Sequence, residues 1–140
     1  MSKIAVVYWS GTGNTEQMAS MVSEGAQSAG AQVSLFTAAE FSADSVDSYD
    51  ALAFGCPSMG SEQLEECEFE PMFSACLDKL SGKKVGLFGS YGWGDGEWMR
   101  NWVDTCRGAG AVLVSDGVIC NGAPDGDAEA DCKALGSALA

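Results

Sequence analysis

The sequence predicts a doubly wound α/β fold, in which a five-stranded parallel sheet carries helices on both faces. Short apolar runs alternate along the chain with segments whose apolar residues recur with the period of a helix. The runs are continuously apolar, as expected for parallel strands that are covered on both faces. Alternation of strands and helices favours right-handed crossovers between parallel strands. A chain of 140 residues suits one domain, which is predicted to span residues 1–140.

Five segments are predicted to be strands. Four of them are largely apolar and belong inside the sheet, whereas the fifth is shorter and half polar, which is typical of an edge strand. The inner strands are Ile4–Trp9, Ala51–Cys56, Val85–Gly89 and Ala111–Ile119, and the edge strand is Gln32–Phe36.

Four segments between and after these strands are predicted to be helices. Gly30 stands where a glycine commonly ends the first helix, and Pro71 is expected to break or kink the second. Acidic residues in the first turn of the last helix suit its positive end. The helices are Asn14–Ala29, Glu62–Leu80, Glu97–Gly108 and Asp125–Leu139.

The chain is strongly acidic, with a net charge of −13 from 20 acidic and 7 basic residues. Such a charge disfavours nucleic acid as a partner and favours proteins with basic surfaces. No apolar run approaches the roughly 20 residues of a membrane span. The first apolar run also lacks the basic lead-in and cleavage site of a secretion signal, so a cytoplasmic location without membrane contact is expected.

The chain contains no histidine, which excludes the commonest general base and the commonest metal ligand. No two cysteines have C-x-x-C spacing, so neither an iron–sulfur cluster nor a structural zinc site is predicted. The cysteines are expected to be small buried residues with free thiols. They are Cys56, Cys67, Cys76, Cys106, Cys120 and Cys132.

The loop after the first strand, here called the first loop, has the composition of an anion site. It spans Ser10–Thr15 and reads Ser-Gly-Thr-Gly-Asn-Thr. Its glycines allow the backbone to approach a ligand closely, and the helix that follows presents free N–H groups to the same place. The loop contains no lysine or arginine, so backbone dipoles, hydroxyls and an amide are the predicted donors to a phosphate.

The spacing in and around this loop disfavours three other classes of site. A P-loop requires a lysine that does not follow Gly13. A dinucleotide-binding loop requires a third glycine, where this chain has Glu16. A receiver domain requires an acidic pair at the end of the first strand, where this chain has Trp9 and Ser10. The class of site that remains is one that binds a phosphomonoester through neutral donors.

The loops after the third and fourth strands, here called the second and third loops, span Pro57–Glu62 and Ser90–Gly96. Each carries a large flat or polarisable side chain beside glycine, namely Met59 and Trp93. Two such side chains on facing loops would form a slot for a planar ring, with backbone N–H groups at the ring edge. Because glycines flank Trp93, an exposed position at a loop tip is favoured over a core position.

Together, the three loops resemble those of the flavodoxin family in its short-chain form, and the resemblance extends over the whole chain. It implies a sheet with strand order 2-1-3-4-5 and one FMN bound non-covalently between the first and third strands, a placement described for flavodoxin itself. It also implies a low-potential electron carrier that has no substrate of its own and shuttles between a neutral semiquinone and an anionic hydroquinone.

The resemblance implies that the first loop holds the FMN phosphate. Ser90 would assist at the phosphate or the ribityl chain, and Asn121 is a further candidate for ribityl contact. Pro57 stands where some relatives have a phosphate-contacting serine. The groups for the phosphate are the side chains of Ser10, Thr12, Asn14 and Thr15 and the N–H groups of Gly11 and Gly13.

The resemblance also implies that Trp93 stacks on one face of the isoalloxazine ring and Met59 covers the other. The carbonyl of Gly60 would accept from the N5–H of the semiquinone. A type II′ turn centred on Gly60 and Ser61 needs a positive φ at its first central residue, which glycine adopts without a clash. Further cofactor contacts are expected from Glu62 at N3–H, from Gly92, Trp93 and Gly94 at the N1 and O2 edge, and from Ser58, Ser61 and Tyr91.

The acidic surface is expected to lower the second reduction potential and to steer basic partners to the flavin. By resemblance these partners are ferredoxin- or flavodoxin-linked reductases and oxidoreductases, which meet a monomeric carrier. One alternative is a flavin enzyme on the same fold, such as a quinone reductase, and another is a binding module without FMN. The short chain favours the carrier, because no extra loop or domain remains to build a nicotinamide or quinone pocket.

Overall fold

A computed structural model describes residues 2–11, 13–59 and 63–140 of the chain. Its elements alternate as predicted, and two short 3₁₀ segments, Ala38–Glu40 and Ala43–Ser48, lie between the second and third strands. The strands are β1 (Lys3–Tyr8), β2 (Gln32–Thr37), β3 (Ala51–Gly55), β4 (Lys84–Tyr91), β5 (Val112–Leu113) and β6 (Val118–Asn121). The helices are α1 (Asn14–Ser28), α2 (Phe69–Leu77), α3 (Glu97–Gly108) and α4 (Gly126–Leu139).

The strands form one parallel sheet in the order β2-β1-β3-β4-β5, with β6 also paired to β4. This arrangement confirms the predicted order 2-1-3-4-5. The half-polar β2 lies at an edge, as its composition predicted. The chain leaves β1 towards β2 on one side and returns to β3 on the other. The carboxyl ends of β1 and β3 therefore border the switch point at which such sheets bind ligands.

Alternate residues of each strand enter two separate cores, one on each face of the sheet. Ile4 and Val6 of β1 pack with α1 and α4, whereas Ala5 and Val7 pack with α2 and α3. Both cores are fully enclosed, which explains why the sequence of an inner strand is apolar throughout rather than alternating.

Helices α1 and α4 pack against each other through glycine. A side-chain carbon added at Gly25 would overlap the carbonyl oxygen of Lys133, and one added at Gly136 would overlap that of Val22. The two backbones therefore touch with no intervening side chain at these points. Only glycine permits so close an approach.

The opposite face is built from aromatic rings. Phe54 meets Phe73 edge-on at 5.1 Å, and Trp102 meets Phe69 and Phe73 edge-on at 5.4 and 5.6 Å between ring centroids. The indole N–H of Trp102 is buried and has no hydrogen-bond acceptor among the described residues. A groove of about 500 Å³ between α2 and α3 is lined in part by Phe73 and Trp102.

The last predicted strand, Ala111–Ile119, was wrong as a single element. The structure divides it into β5 and β6, which both pair with β4 but are separated by residues 114–117. Ser115-Asp116-Gly117 has turn composition, and Gly117 adopts a φ of 96°. Arg107 of α3 binds Asp116 at 2.7 Å, which holds this turn against the helix end.

The predicted helix Glu62–Leu80 was also wrong at its start, because α2 begins at Phe69. The carboxylate of Glu65 accepts the backbone N–H groups of Cys67, Glu68 and Phe69, so a tight turn takes the place of the first helical turns. Pro71 lies in the first turn of α2, where its missing N–H breaks no helical hydrogen bond, and no kink results.

Two further expectations need adjustment. Strand β4 continues through Ser90 and Tyr91, which were expected in the third loop, because β6 pairs with both. Four of the cysteines are buried with free thiols as predicted, but Cys67 is exposed and Cys120 is half-buried. In the part of the chain that the structure describes, no helix combines the length and apolarity needed to cross a bilayer.

Candidate functional site

One cleft of about 250 Å³ lies where the loops after β1, β3 and β4 meet. Each of the three predicted loops contributes to its wall, which matches the expectation that strand ends at the switch point form the site. The lining comprises Gly11 and Asn14 from the first loop, Ser58 and Met59 from the second, Ser90, Tyr91 and Gly92 from the third, and also Trp9, Pro57 and Gly122.

The first loop is closed by the hydroxyl of Ser10. This oxygen accepts the backbone N–H groups of Gly13 at 3.1 Å and Glu16 at 3.3 Å. Gly13 has a φ of 95° and stands at the N-cap of α1, where it offers no side chain to the first-turn N–H groups. The start of α1 is thus left without a cap from its N-cap residue, which suits an anion.

Thr15 and Ser90, of which Ser90 lines the cleft, join the first loop to the third. Thr15 is buried, and its hydroxyl oxygen accepts the backbone N–H of Ser90 at 3.4 Å. The Ser90 hydroxyl donates to the Gly122 carbonyl at 2.6 Å, and the Ser90 carbonyl accepts from the Ser58 N–H at 3.1 Å. All three loops and the segment before α4 are therefore tied together at Ser90.

The second loop is pinned on both sides of its undescribed part. Met59 and Gln63 exchange two backbone hydrogen bonds of 2.8 and 2.9 Å. Next along the chain, the backbone N–H of Glu65 donates to Cys56 Sγ at 3.3 Å. The predicted site residues Gly60, Ser61 and Glu62, like Thr12 of the first loop, lie outside the described residues.

Glu65 and Cys56 are structural anchors at the base of this loop. Burial raises the pKa of Glu65, but the N–H groups of Phe69, Glu68 and Cys67 outweigh burial, so the net shift is downward and the group stays ionised. Burial raises the pKa of the Cys56 thiol to about 12. A neutral thiol of this kind serves as a hydrogen-bond partner rather than a nucleophile.

The third loop presents exposed side chains above a buried base. The Trp98 indole N–H donates to the Cys56 carbonyl at 3.2 Å, and Tyr91 packs on the Trp98 ring at 5.6 Å. Trp93 is 63% exposed, as the flanking glycines predicted, and Met59 is 36% exposed. Gly94, like Trp93 and Asn121, does not line the cleft but lies exposed.

Three cleft residues, Trp9, Pro57 and Gly122, were not among the predicted site residues. Trp9 was assigned to the end of the first strand, and its position directly before the first loop was the available signal. Gly122 lies in a segment without a clear motif. Trp9 also borders a neighbouring cavity of about 380 Å³, together with Tyr8, Glu16 and Glu68.

The chemistry of the cleft suits FMN, the cofactor implied by the resemblance. None of the described lining residues is a lysine or an arginine, and those near the start of α1 offer amide and hydroxyl groups. Such donors fit a phosphate placed at a helix start. At the other end, Met59, Tyr91 and Gly92 form an apolar wall that fits a planar ring.

Comparison with known proteins gives one consistent result. A sequence model of the flavodoxin family matches residues 6–135. The chain is 46% identical over 135 residues to a flavodoxin from Clostridium beijerinckii, covering 96% of this chain and 97% of that protein. It is 47% identical over 137 residues to one from Megasphaera elsdenii, covering 98% of each. The solution structure of the two-electron reduced Megasphaera elsdenii flavodoxin superposes with a TM-score of 0.90 at 47% identity, covering 97% of each chain.

Proposed function

Because the chain belongs to the flavodoxin family, we propose that it is a low-potential carrier that moves single electrons between redox proteins. As a member of that family it binds FMN and carries electrons. The finer proposal is that it cycles between the neutral semiquinone and the anionic hydroquinone of non-covalently bound FMN. The observation that best supports the proposed function is the single cleft into which the first, second and third loops converge.

The phosphate end of the proposed site uses the start of α1. We assign the backbone of Gly11 and the amide of Asn14 to direct phosphate contact, because both line the cleft. Ser10 holds Gly13 and Glu16 in place, and its hydroxyl hydrogen remains available as a donor. Thr12, Gly13, Thr15 and Ser90 complete the proposed set, in which Ser90 lines the cleft and the buried Thr15 supports it.

The ring end of the proposed site lies between the second and third loops. Met59 and Trp93 are exposed apolar side chains on the two loops that border the cleft, as covers for the two faces of a ring require. Their exposure leaves an edge of the ring open to a partner, which a carrier needs for rapid electron exchange. The remaining proposed contacts are Ser58, Gly60, Ser61, Glu62, Tyr91, Gly92 and Gly94.

We further propose that Gly60 separates the two reduction potentials by offering its carbonyl to the protonated N5 of the semiquinone. The Met59–Gln63 pair supports this role, because it holds the chain fixed on both sides of residues 60–62. Replacement of Gly60 by threonine is expected to bring the two potentials closer together in a redox titration. An unchanged separation would remove this role for Gly60.

The net charge of −13 supports a low second potential. A single carboxylate about 10 Å from the ring opposes the anionic hydroquinone by about 1.7 kcal/mol at an effective dielectric constant near 20. For one electron, about 1.4 kcal/mol corresponds to about 59 mV. Raising the ionic strength should therefore raise the second potential and slow electron transfer to basic partners, since salt screens both effects. A second potential independent of salt contradicts the charge argument.

The decisive experiment is titration of the apoprotein with FMN followed by anaerobic stepwise reduction. We expect quenching of FMN fluorescence and then the visible spectrum of a blue neutral semiquinone. FMN fluorescence that stays unquenched would overturn the proposed function. Oxidation of NAD(P)H by the holoprotein alone is expected to be negligible, and sustained turnover would instead favour a flavin enzyme.

A further inference from the structure

Trp9 connects the first loop to the start of α2 through its indole ring. Its backbone N–H donates to the Gly55 carbonyl at 3.0 Å, which places the residue at the junction of β1 and β3. Its indole N–H donates to Glu68 Oε1 at 3.1 Å. Glu68 is the N-cap residue of α2, so the contact joins parts of the chain 59 positions apart.

The backbone of the first loop rests on this ring. A side-chain carbon placed on Gly11 would lie 3.2 Å from Cη2 and 3.4 Å from Cζ3 of Trp9. The φ of Gly11 lies outside the left-handed region, so backbone conformation does not call for glycine here. A side chain at this position would require the indole ring to shift by a few tenths of an ångström, so the ring and the loop backbone lie in close contact.

The backbone of Glu68, which accepts the Trp9 indole N–H through its side chain, is held firmly. The backbone N–H of Glu68 donates to the buried carboxylate of Glu65 at 2.7 Å, and the backbone N–H of Glu65 donates to Cys56 Sγ. The Glu68 backbone is thus anchored to the end of β3. The carboxylate of Glu68 is exposed, so the indole N–H makes a surface hydrogen bond to a side chain whose backbone is fixed.

The position of Trp9 also matters for the shape of the site. Trp9 and Gly11 line both the cleft of about 250 Å³ and the neighbouring cavity of about 380 Å³. The indole and the loop above it therefore form the wall between two spaces. Ser10 and Gly13 of the first loop also border the second cavity, so removal of the ring would take away the support of the loop on that side.

We propose that Trp9 is a positioning residue for the FMN phosphate, held in place by Glu68. This inference rests on the proposed function. The positioning role matters because no lysine or arginine is among the described residues that line the cleft. A flexible cation tolerates a displaced phosphate, whereas backbone N–H groups lose hydrogen-bond strength steeply as the angle departs from linearity. A loop of neutral donors therefore needs a rigid support.

The test measures dissociation constants of FMN and of riboflavin, which lacks the phosphate, for the full chain. Glu68→Ala and Glu68→Gln form a matched pair, because both remove the charge but only glutamine keeps an acceptor for the indole N–H. We expect Glu68→Ala to bind FMN about five-fold more weakly than Glu68→Gln, the value of one hydrogen bond. Riboflavin should bind both variants alike.

Trp9→Phe completes a double-mutant cycle. Alone it should weaken FMN binding about five-fold, without effect on riboflavin. In the Trp9→Phe background the two Glu68 variants should bind FMN equally, because the donor of the contact is gone. Thermal unfolding of each apoprotein reports separately whether a substitution has damaged the fold.

The possible outcomes separate the hypotheses. An equal loss of FMN and riboflavin affinity would show that Trp9 supports only the fold, and unchanged FMN affinity would show that it supports nothing relevant to binding. Either result overturns the inference while leaving the proposed function intact. Failure of the unmodified chain to bind FMN overturns the proposed function itself.

Discussion

On one face of the sheet, α1 and α4 touch backbone to backbone through Gly25 and Gly136, whereas on the other face aromatic rings keep α2 and α3 apart. The first face has no room for a single added carbon at these glycines, and the second leaves a groove of about 500 Å³. The comparison teaches that tolerance to substitution depends on the distance between backbones and not only on how apolar a core is.

The same difference extends to the candidate site. The first loop leads directly into α1, on the tightly packed face, and the second and third loops lead into α2 and α3. The proposed phosphate end is therefore built on elements that cannot shift past each other. The ring end is built on elements separated by side chains that can repack.

The largest expected effect is that of Gly136→Ala. The added methyl group would overlap the Val22 carbonyl, and α4 would have to move away from α1 over its whole length. We expect a loss of about 3 kcal/mol in the free energy of unfolding, at the upper end of the usual cost of overpacking. Urea denaturation of the apoprotein measures it.

Gly108→Ala in α3 is the matched control for that substitution. A methyl group at Gly108 meets nothing within 4 Å, so the change should be neutral or slightly stabilising, by about 0.5 kcal/mol. Equal destabilisation by the two substitutions would contradict the contrast between the faces.

Glu65→Gln is expected to lower the free energy of unfolding by a smaller amount, about 2 kcal/mol at neutral pH. The substitution replaces an ionised acceptor of three N–H groups by a neutral one. The folded pKa of Glu65 lies below the ordinary value of 4.5. The ionised group therefore stabilises the fold above about pH 4.5, and this contribution is lost as the pH falls through the folded pKa.

Urea denaturation of both proteins from pH 7 to pH 3 tests this prediction. The difference in the free energy of unfolding between the unmodified chain and Glu65→Gln should shrink as the pH falls. A difference that is constant across this range would mean that the Glu65 charge plays no part in holding the turn before α2.

The smallest effect is expected for Trp102→Phe. The substitution removes ring area, but it also removes a buried N–H that has no acceptor, and these contributions oppose each other. Because the residue borders the groove between α2 and α3, its neighbours can also adjust. We expect urea denaturation to show a decrease of about 1 kcal/mol or less in the free energy of unfolding. A loss as large as that of Gly136→Ala would contradict the greater tolerance assigned to this face.

The sequence predicted the fold well where a single local pattern determined an element. The apolar runs of β1 and β3 and the half-polar run of β2 each reflect the number of covered faces, and burial confirms them. It failed where a turn interrupted an otherwise periodic pattern. The turn that splits β5 from β6 contains the positive-φ Gly117 and the Asp116–Arg107 contact, and the turn before α2 is held by the Glu65 carboxylate.

The candidate site shows the same division. Loop composition was enough to indicate the three loops, because glycines and hydroxyls at strand ends carry their chemistry locally. It could not indicate Trp9, whose importance comes from Gly11 above it and Glu68 beyond it. Nor could it show that the Ser90 hydroxyl is directed to the Gly122 carbonyl.

The distribution of the cysteines offers a practical handle. All six lie within the described residues; four are buried with pKa values raised to about 11 or 12, and Cys120 is half-buried with a raised pKa. Cys67 alone is exposed, one residue before the partner of Trp9, and the charge of Glu65 raises its pKa too, so its exposure is what sets it apart. A maleimide dye added to the unmodified chain should label Cys67 selectively. Energy transfer from the dye could then follow a docking partner at the carboxyl edge of the sheet without any engineered labelling site.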